Sequence, residues 1–342
     1  MTNLRQVIDD KIIARYKRWV TWTLVTLYLL VMIGGIVRAT GAGMGCPDWP
    51  TCFGSWIPPT DVSQLPDNYK EIYGAELKGE IEFNPVKTWI EYVNRLFGVF
   101  TGAWIFLTLL ASIPFLRSNR KSIFYLSLAA FLLVGFQGWL GAQVVATELH
   151  PVMVTLHMLL AIVIIFVLLF AYAKVSYIDK VNIERLTGSR TALNRWVITA
   201  IIIATVQLIL GTQVREAIDM AVVALGYEGR ANWVEYSGTI YLVHRSFSIL
   251  VLLVVGYLYY QLKISTEGRG VMNRLGEFMV AVLVAEILTG IILGYFAMPA
   301  VLQPIHLTLA VLLLGIQFVL YLFLNAEAIF EKRGSSQLAA DL

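Results

Sequence analysis

Glu91-Tyr92-Val93-Asn94-Arg95-Leu96-Phe97 opens one long apolar run, and Tyr241-Leu242-Val243-His244-Arg245-Ser246-Phe247 opens another 150 residues further on. About 60 residues after each stands a further apolar run that begins with a histidine, Val154-Thr155-Leu156-His157 in one case and Gln303-Pro304-Ile305-His306 in the other. A pattern that returns in the same order and spacing marks a duplicated unit. The flanking runs agree. Gly34-Gly35-Ile36-Val37-Arg38 ends an earlier run as Gly211-Thr212-Gln213-Val214-Arg215 ends a later one. The stretches Gly135–Gly141 and Thr289–Gly294 are both rich in small residues, which let membrane helices approach closely.

Composition places the repeat in a bilayer. With 58% apolar residues, 14% charged residues and a mean hydropathy of +0.71, a water-soluble fold is excluded. A spanning helix needs about 20 mostly apolar residues. Eight runs qualify, roughly 19–38, 91–115, 122–146, 152–173, 196–214, 240–262, 277–297 and 303–325. The expected fold is an all-α membrane protein of eight transmembrane helices, arranged as two repeated four-helix bundles. Four spans return the chain to the same side, so the repeat is parallel. Residues 19–173 and 196–325 form the halves; 1–18, 174–195 and 326–342 form an arm, a linker and a tail.

Charge assigns the sides. Arg5, Lys11, Arg15, Lys17, Arg18, Arg117, Arg120, Lys121, Lys174, Lys180, Arg185, Arg190, Arg195, Lys263, Arg269, Arg274, Lys332 and Arg333 all fall on one face, 18 of 26 basic residues. Residues 40–88, on the other face, hold seven acidic and three basic side chains. By the positive-inside rule both termini are cytoplasmic. The first run lacks a cleavage site and reads as an uncleaved first helix in a bacterial plasma membrane. Cys46 and Cys52 lie in the first outer loop, which is then on the oxidising side. The turn formers of Gly45-Cys46-Pro47-Asp48-Trp49-Pro50-Thr51-Cys52 can bring the two within bonding range. They form a disulfide or remain two free thiols; neither a Cys-x-x-Cys-His nor a zinc spacing is present.

The chemistry-bearing residues cluster at the outer ends of the spans. Intramembrane polar groups are costly, face the bundle interior and mark function. His244 and His306, on the second and fourth spans of one half, form a facing imidazole pair. Bundle cores hold cofactors between such helices, and bis-imidazole ligation suits an electron-carrying haem. Arg38, Arg95, Arg215 and Arg245 stand at the same level and would pair with haem propionates. The amino-terminal half breaks the symmetry, since Asn94 stands where His244 stands. His157 therefore lacks an imidazole opposite, while Glu91 lies one helical turn from Asn94. His150, before Pro151, reads as a surface histidine; the alternative is that it reaches a metal that Asn94 cannot bind.

With these residues in view, the chain resembles the haem A synthases, membrane proteins of cytochrome oxidase assembly. The likeness covers the whole length and rests on eight spans, the outer cysteine pair, the Glu-x-x-His-Arg motif (here Glu91-Tyr92-Val93-Asn94-Arg95) and the loop Thr40–Pro50. It implies an oxidoreductase that oxidises a methyl of haem O to a formyl group by successive hydroxylation with oxygen from water. It implies a haem b held by His244 and His306, with Arg245 and Arg215 beside it. The substrate haem O would lie at His157, Asn94, Arg95 and Arg38, with Glu91 as the catalytic carboxylate. His244, His306 and His157 are then the metal ligands. The expected partners are haem O synthase (the protohaem farnesyltransferase), oxidase assembly factors, the bilayer and a further copy of the chain in a homo-oligomer; no nucleic acid is expected. Asn94 departs from the family's histidine. Either His157 binds haem O alone or with a second ligand, or the synthase activity is lost and the chain is a quinol-linked haem b electron carrier. A transporter is a weaker third class, because no charged central pathway or broken helix is evident.

Overall fold

Eight helices follow the eight apolar runs. The computed structural model describes residues 10–74, 83–118, 120–178, 187–266 and 270–330. In chain order the long helices are α1 (Asp10–Ala39), α2 (Pro85–Ser112), α3 (Lys121–Ala146), α4 (Pro151–Ile178), α5 (Arg190–Leu225), α6 (Thr239–Ser265), α7 (Val271–Tyr295) and α8 (Leu302–Leu324). All eight are long and apolar enough to cross a membrane. Among the described residues there is no β-strand, so the chain is an all-α membrane protein, as expected. Of the basic residues that set the expected orientation, Arg5, Lys180, Arg185, Arg269, Lys332 and Arg333 lie outside the described residues.

Local sequence explains where the helices start and stop. Asn84 caps α2 by accepting from the Lys87 N–H at 3.1 Å, with Pro85 at the first helical position. Ser189 caps α5 in the same way through the Ala192 N–H. α5 runs for 36 residues, about 54 Å at 1.5 Å per residue. That exceeds the hydrocarbon thickness of about 30 Å. The apolar run alone ends near residue 214. The helix continues because nothing breaks it before Gly226, whose φ of 65° ends it in the left-handed region. The extension carries Asp219 above the bundle.

Neighbouring helices close into rings. α1 packs on α2 and α4, α2 on α3, and α3 on α4; α5 packs on α6 and α8, α6 on α7, and α7 on α8. The junction between the rings is made by α1 and α4 against α8, and by α4 against α5. It is tight at Gly35, where a Cβ would come within 2.8 Å of the Pro304 Cβ. Phe166 of α4 stacks on Phe318 of α8 at 4.3 Å. Hydrogen bonds fix the first ring, Tyr16 to Ser127 at 2.8 Å and Thr23 to Thr108 at 2.7 Å. Such bonds contribute about 1 kcal/mol each between membrane helices.

The loop after α1 has its own small core. Phe53, Leu65 and Tyr69 pack with Tyr73, Phe83 and Tyr92 around the two cysteines. Cys46 and Cys52 form a disulfide, with Cα atoms 4.8 Å apart. The Asp48 carboxylate accepts from the Gly54 N–H at 2.9 Å and from the Thr51 hydroxyl, which holds the turn at Phe53 and Gly54, both at positive φ. The Tyr92 hydroxyl donates to the Trp56 carbonyl and ties this loop to α2.

Candidate functional site

A cavity of about 1960 Å³ is lined by residues of both rings. Pockets for drug-sized ligands measure about 300–1,000 Å³, so this one has room for more than one large ligand. Asn94, His157, His244 and His306 all line it, as do Glu91, Arg38, Arg95, Arg215 and Arg245. The residues singled out from the sequence therefore meet in one space. His150 is exposed and is not among the lining residues.

In the carboxyl-terminal part, α6 and α8 present His244 and His306 with ring centroids 6.4 Å apart and planes at 74°. Two imidazoles bound to one metal from opposite sides, each nitrogen about 2 Å from it, would put their centroids about 6.3 Å apart. The pair thus has the spacing that one iron between them requires. A glycine on the neighbouring helix faces each ring edge. A Cβ at Gly211 would sit 3.3 Å from His244 Cε1, and one at Gly290 would sit 3.2 Å from His306 Cε1. Gln207 donates to the His244 carbonyl at 3.1 Å. Glu286, on α7, stands with Oε1 3.3 Å from His306 Nδ1.

The amino-terminal part repeats the slots. A Cβ at Gly141 would sit 3.3 Å from His157 Cε1, and one at Gly34 would sit 3.9 Å from Asn94 Oδ1. The place opposite His157's neighbourhood is thus still a glycine-edged slot, filled by an amide. Glu91 is 3% exposed, and both its oxygens are engaged. The Cys46 N–H donates to Oε2 at 2.8 Å, and the Arg95 guanidinium donates to Oε1 at 2.6 Å. Arg95 also donates to the carbonyls of Cys46, Asp48 and Thr51, at 2.9, 2.6 and 2.9 Å. Arg95, expected beside an anionic ligand, is thus committed to the disulfide loop. With Glu91 it fastens that loop over the cavity, which Trp49, Pro50 and Trp56 reach.

Arg38 and Arg215 converge on one carboxylate. Asp219 accepts from Arg38 at 2.8 Å and from Arg215 at 2.6 Å, while Arg215 also donates to Gln303 and to the Arg38 carbonyl. Two guanidiniums thus share one carboxylate, and Glu216, next to Arg215 in the chain, also lines the cavity. Arg245 lies with its guanidinium 5.8 Å from the Tyr241 ring centre. Sequence reading missed Glu286, Asp219, Gln207 and Thr289. The one visible signal was Glu286, a carboxylate inside an apolar run, which by itself marks function.

The lining tests what the cavity is built for. Gln137 Oε1, His157 Nδ1, Gln207 Oε1, Arg215 Nε, His244 Nδ1 and Glu286 Oε2 are buried without a hydrogen-bond partner, and all six belong to lining residues. Each such group costs about 1–3 kcal/mol if left unpaired. Among the described residues no group of three or more His, Cys, Asp and Glu side chains is placed to hold a bare metal ion. Facing imidazoles, lining guanidinium groups and an apolar wall fit a large planar metal chelate with anionic side groups.

The loop geometry makes one prediction. In unreduced protein, neither Cys46 nor Cys52 takes up an alkylating reagent, and both do after reduction and unfolding, as read by mass spectrometry. Uptake at both sites without reductant would overturn the assignment.

Comparison with known proteins adds the last observation. The COX15-CtaA family, described as cytochrome oxidase assembly protein, matches residues 17–318. A Rickettsia akari protein named heme A synthase is 24% identical over 91% of this chain and 98% of its own. Its Flavobacterium johnsoniae namesake is 25% identical over 87% of this chain and 94% of its own. The heme A synthase of Shewanella oneidensis is 30% identical, over 45% of each chain.

Proposed function

This chain belongs to the COX15-CtaA family of cytochrome oxidase assembly proteins, and from that premise we propose that it is a haem A synthase, an oxidoreductase converting haem O to haem A. The observation that carries this reading is the shared cavity, where a bis-imidazole pair and a single imidazole with a buried carboxylate face one space. His244 and His306 would hold a haem b. That group supplies one-electron transfer when bound. Arg215 and Arg245 would pair with its propionates. His157 would hold the substrate iron, with Arg38 at a propionate and Asn94 on the other side.

In this reading a methyl of haem O becomes a formyl group by successive hydroxylation, with oxygen from water. Each hydroxylation adds one water oxygen and releases two electrons and two protons, and the second product loses water to give the formyl group; the four electrons would leave one at a time, through the group held by His244 and His306, to an external one-electron acceptor. Glu91, a buried carboxylate held by Arg95 and the Cys46 N–H, would act as a fixed charge near the reacting carbon. A carboxylate with both oxygens occupied is a poor candidate for a free base. The cap of Trp49, Pro50 and Trp56 would keep bulk water away.

We read residues 19–173 and 196–325 as the two repeated halves, with both termini cytoplasmic in a bacterial plasma membrane. The basic residues on one face and the disulfide on the other support that orientation. Haem O synthase would supply the substrate, and oxidase assembly factors would receive the product.

The test is coexpression with a haem O synthase, followed by pigment extraction from the purified protein. Haem A in the extract is the expected result. Haem b alone would replace this reading with the electron-transfer cytochrome, which Asn94 favours. Asn94→His is expected to shift the spectrum of the substrate-loaded protein toward bis-imidazole ligation, since Gly34 leaves the ring a slot. An unchanged spectrum with haem O bound would show that Asn94 does not face the substrate iron.

A further inference from the structure

Glu286 is a half-buried carboxylate on α7 that the proposed reaction does not use. It lies 3.3 Å from His306 Nδ1, and Thr289 Oγ1, one turn further on, lies 2.9 Å from the same nitrogen. The Thr289 hydroxyl has carbonyls of its own helix to donate to, Ala285 O at 3.0 Å and Glu286 O at 2.9 Å. With its proton given to the backbone, it turns a lone pair to the imidazole. A carboxylate oxygen is also an acceptor. With Thr289 accepting, the ring carries its proton at Nδ1, within reach of the Glu286 oxygen. Nε2 is then the free donor atom, fixed in tautomer and in direction.

The counterpart of His306 lacks this arrangement. Counting back 149 residues from His306, Glu286, Thr289 and Gly290 gives His157, Gln137, Leu140 and Gly141. Gly141 and Gly290 face their histidines alike. Gln137, however, donates to the His157 carbonyl at 2.9 Å, Leu140 has no polar atom, and His157 Nδ1 has no partner. Two equivalent histidines differ in whether the far nitrogen is gripped. On His244 the far nitrogen is also ungripped, and Gln207 reaches its carbonyl instead.

We propose that Glu286, with Thr289, is a positioning residue for the group bound by His306: it accepts the Nδ1 proton, aims Nε2 into the cavity and makes the imidazole a more electron-rich ligand. This rests on the reading of His244 and His306 as ligands of a resident haem. An acceptor on the far nitrogen fixes a ligand's orientation and raises its basicity, at a cost of about 10–100-fold in affinity when removed. A more basic axial ligand favours the ferric state. The same grip explains why one half would keep its haem while the other exchanges a substrate: His306 is set before binding, and His157 is not.

The test uses the full-length protein purified in detergent, with haem content measured by extraction, ligation by electron paramagnetic resonance and the midpoint potential by redox titration. Glu286→Ala is expected to shift the haem b equilibrium at least tenfold toward the ferrous state, about 59 mV for one electron. Glu286→Gln keeps an acceptor oxygen and should fall between wild type and Glu286→Ala. Potentials equal to wild type in both variants, with haem b bound, would overturn the inference and leave the proposed function intact. If Glu286→Ala loses its haem, Glu286→Gln decides by the same criterion. Wild-type protein without haem b would overturn the reading on which the inference stands.

Discussion

His244→Ala and His306→Ala are each expected to remove the proposed low-spin haem b from the purified protein, lowering its content at least tenfold. The two rings stand 6.4 Å apart, a separation that one shared iron would fit, and they come from two helices, α6 and α8, that both pack on α5 and α7. Neither imidazole has a substitute nearby. Gln207 approaches His244 with an amide, and Glu286 already serves the far side of His306. Losing one ligand leaves the other bonded to a five-coordinate iron with an open cavity face, so binding weakens and the spectrum turns high-spin. His306→Ala should be the more severe, because it also strands Glu286 with no imidazole to accept from. His157→Ala is the internal control: it should leave haem b untouched. Unchanged haem b in a folded His244→Ala/His306→Ala double variant would remove the pair from any role in ligation.

The long helices were legible because lipid leaves the chain few choices. An apolar run of 20 residues must satisfy its own backbone, and a helix is the way one segment can do so. The histidines were legible because the pattern occurs twice, and Asn94 stood out as the exception to it. The cysteine pair was legible from a short spacing crowded with turn formers. Other parts of the site depend on packing that a linear pattern does not carry. Glu286 is visible as a carboxylate in an apolar run, but that it meets His306 rather than lipid is set by the register of α7 against α8. Asp219 follows Arg215 by four residues, a helical pair in itself. Its link to Arg38, 181 residues earlier, exists because α5 continues past the apolar run. Arg95 looked like a partner for a ligand. It also holds the loop, because the carbonyls of Cys46, Asp48 and Thr51 turn inward once the disulfide and the Asp48 turn are made.

Glu91→Gln is expected to cut haem A production about 100-fold while leaving haem b in place. The size of the effect turns on which of two jobs the carboxylate does. As a fastener, it accepts from the Cys46 N–H and from Arg95 and holds the capped loop to α2. Glutamine is nearly isosteric, but one of those two oxygens becomes an NH2 that faces a donor. The loop still has three carbonyls on Arg95, the disulfide and its own apolar core, so it stays closed. As a charge, Glu91 offers a carbon losing electrons the one thing an amide cannot replace. The Arg95 guanidinium offsets that charge in the resting protein, so neutralising Glu91 leaves a cation in the cavity wall without its counter-charge, which costs far more than one hydrogen bond. The two jobs separate by measurement. Haem b content and protection of Cys46 and Cys52 from alkylation report the fastener; extracted haem A reports the charge. Glu91→Gln should keep the first two and lose the third. Arg95→Ala should do the reverse to the loop, exposing the cysteines to reductant, because it removes the bonds to all three carbonyls at once. Full haem A production in Glu91→Gln would leave Glu91 as a loop fastener alone, and the water attack would then need another source of charge in the cavity wall.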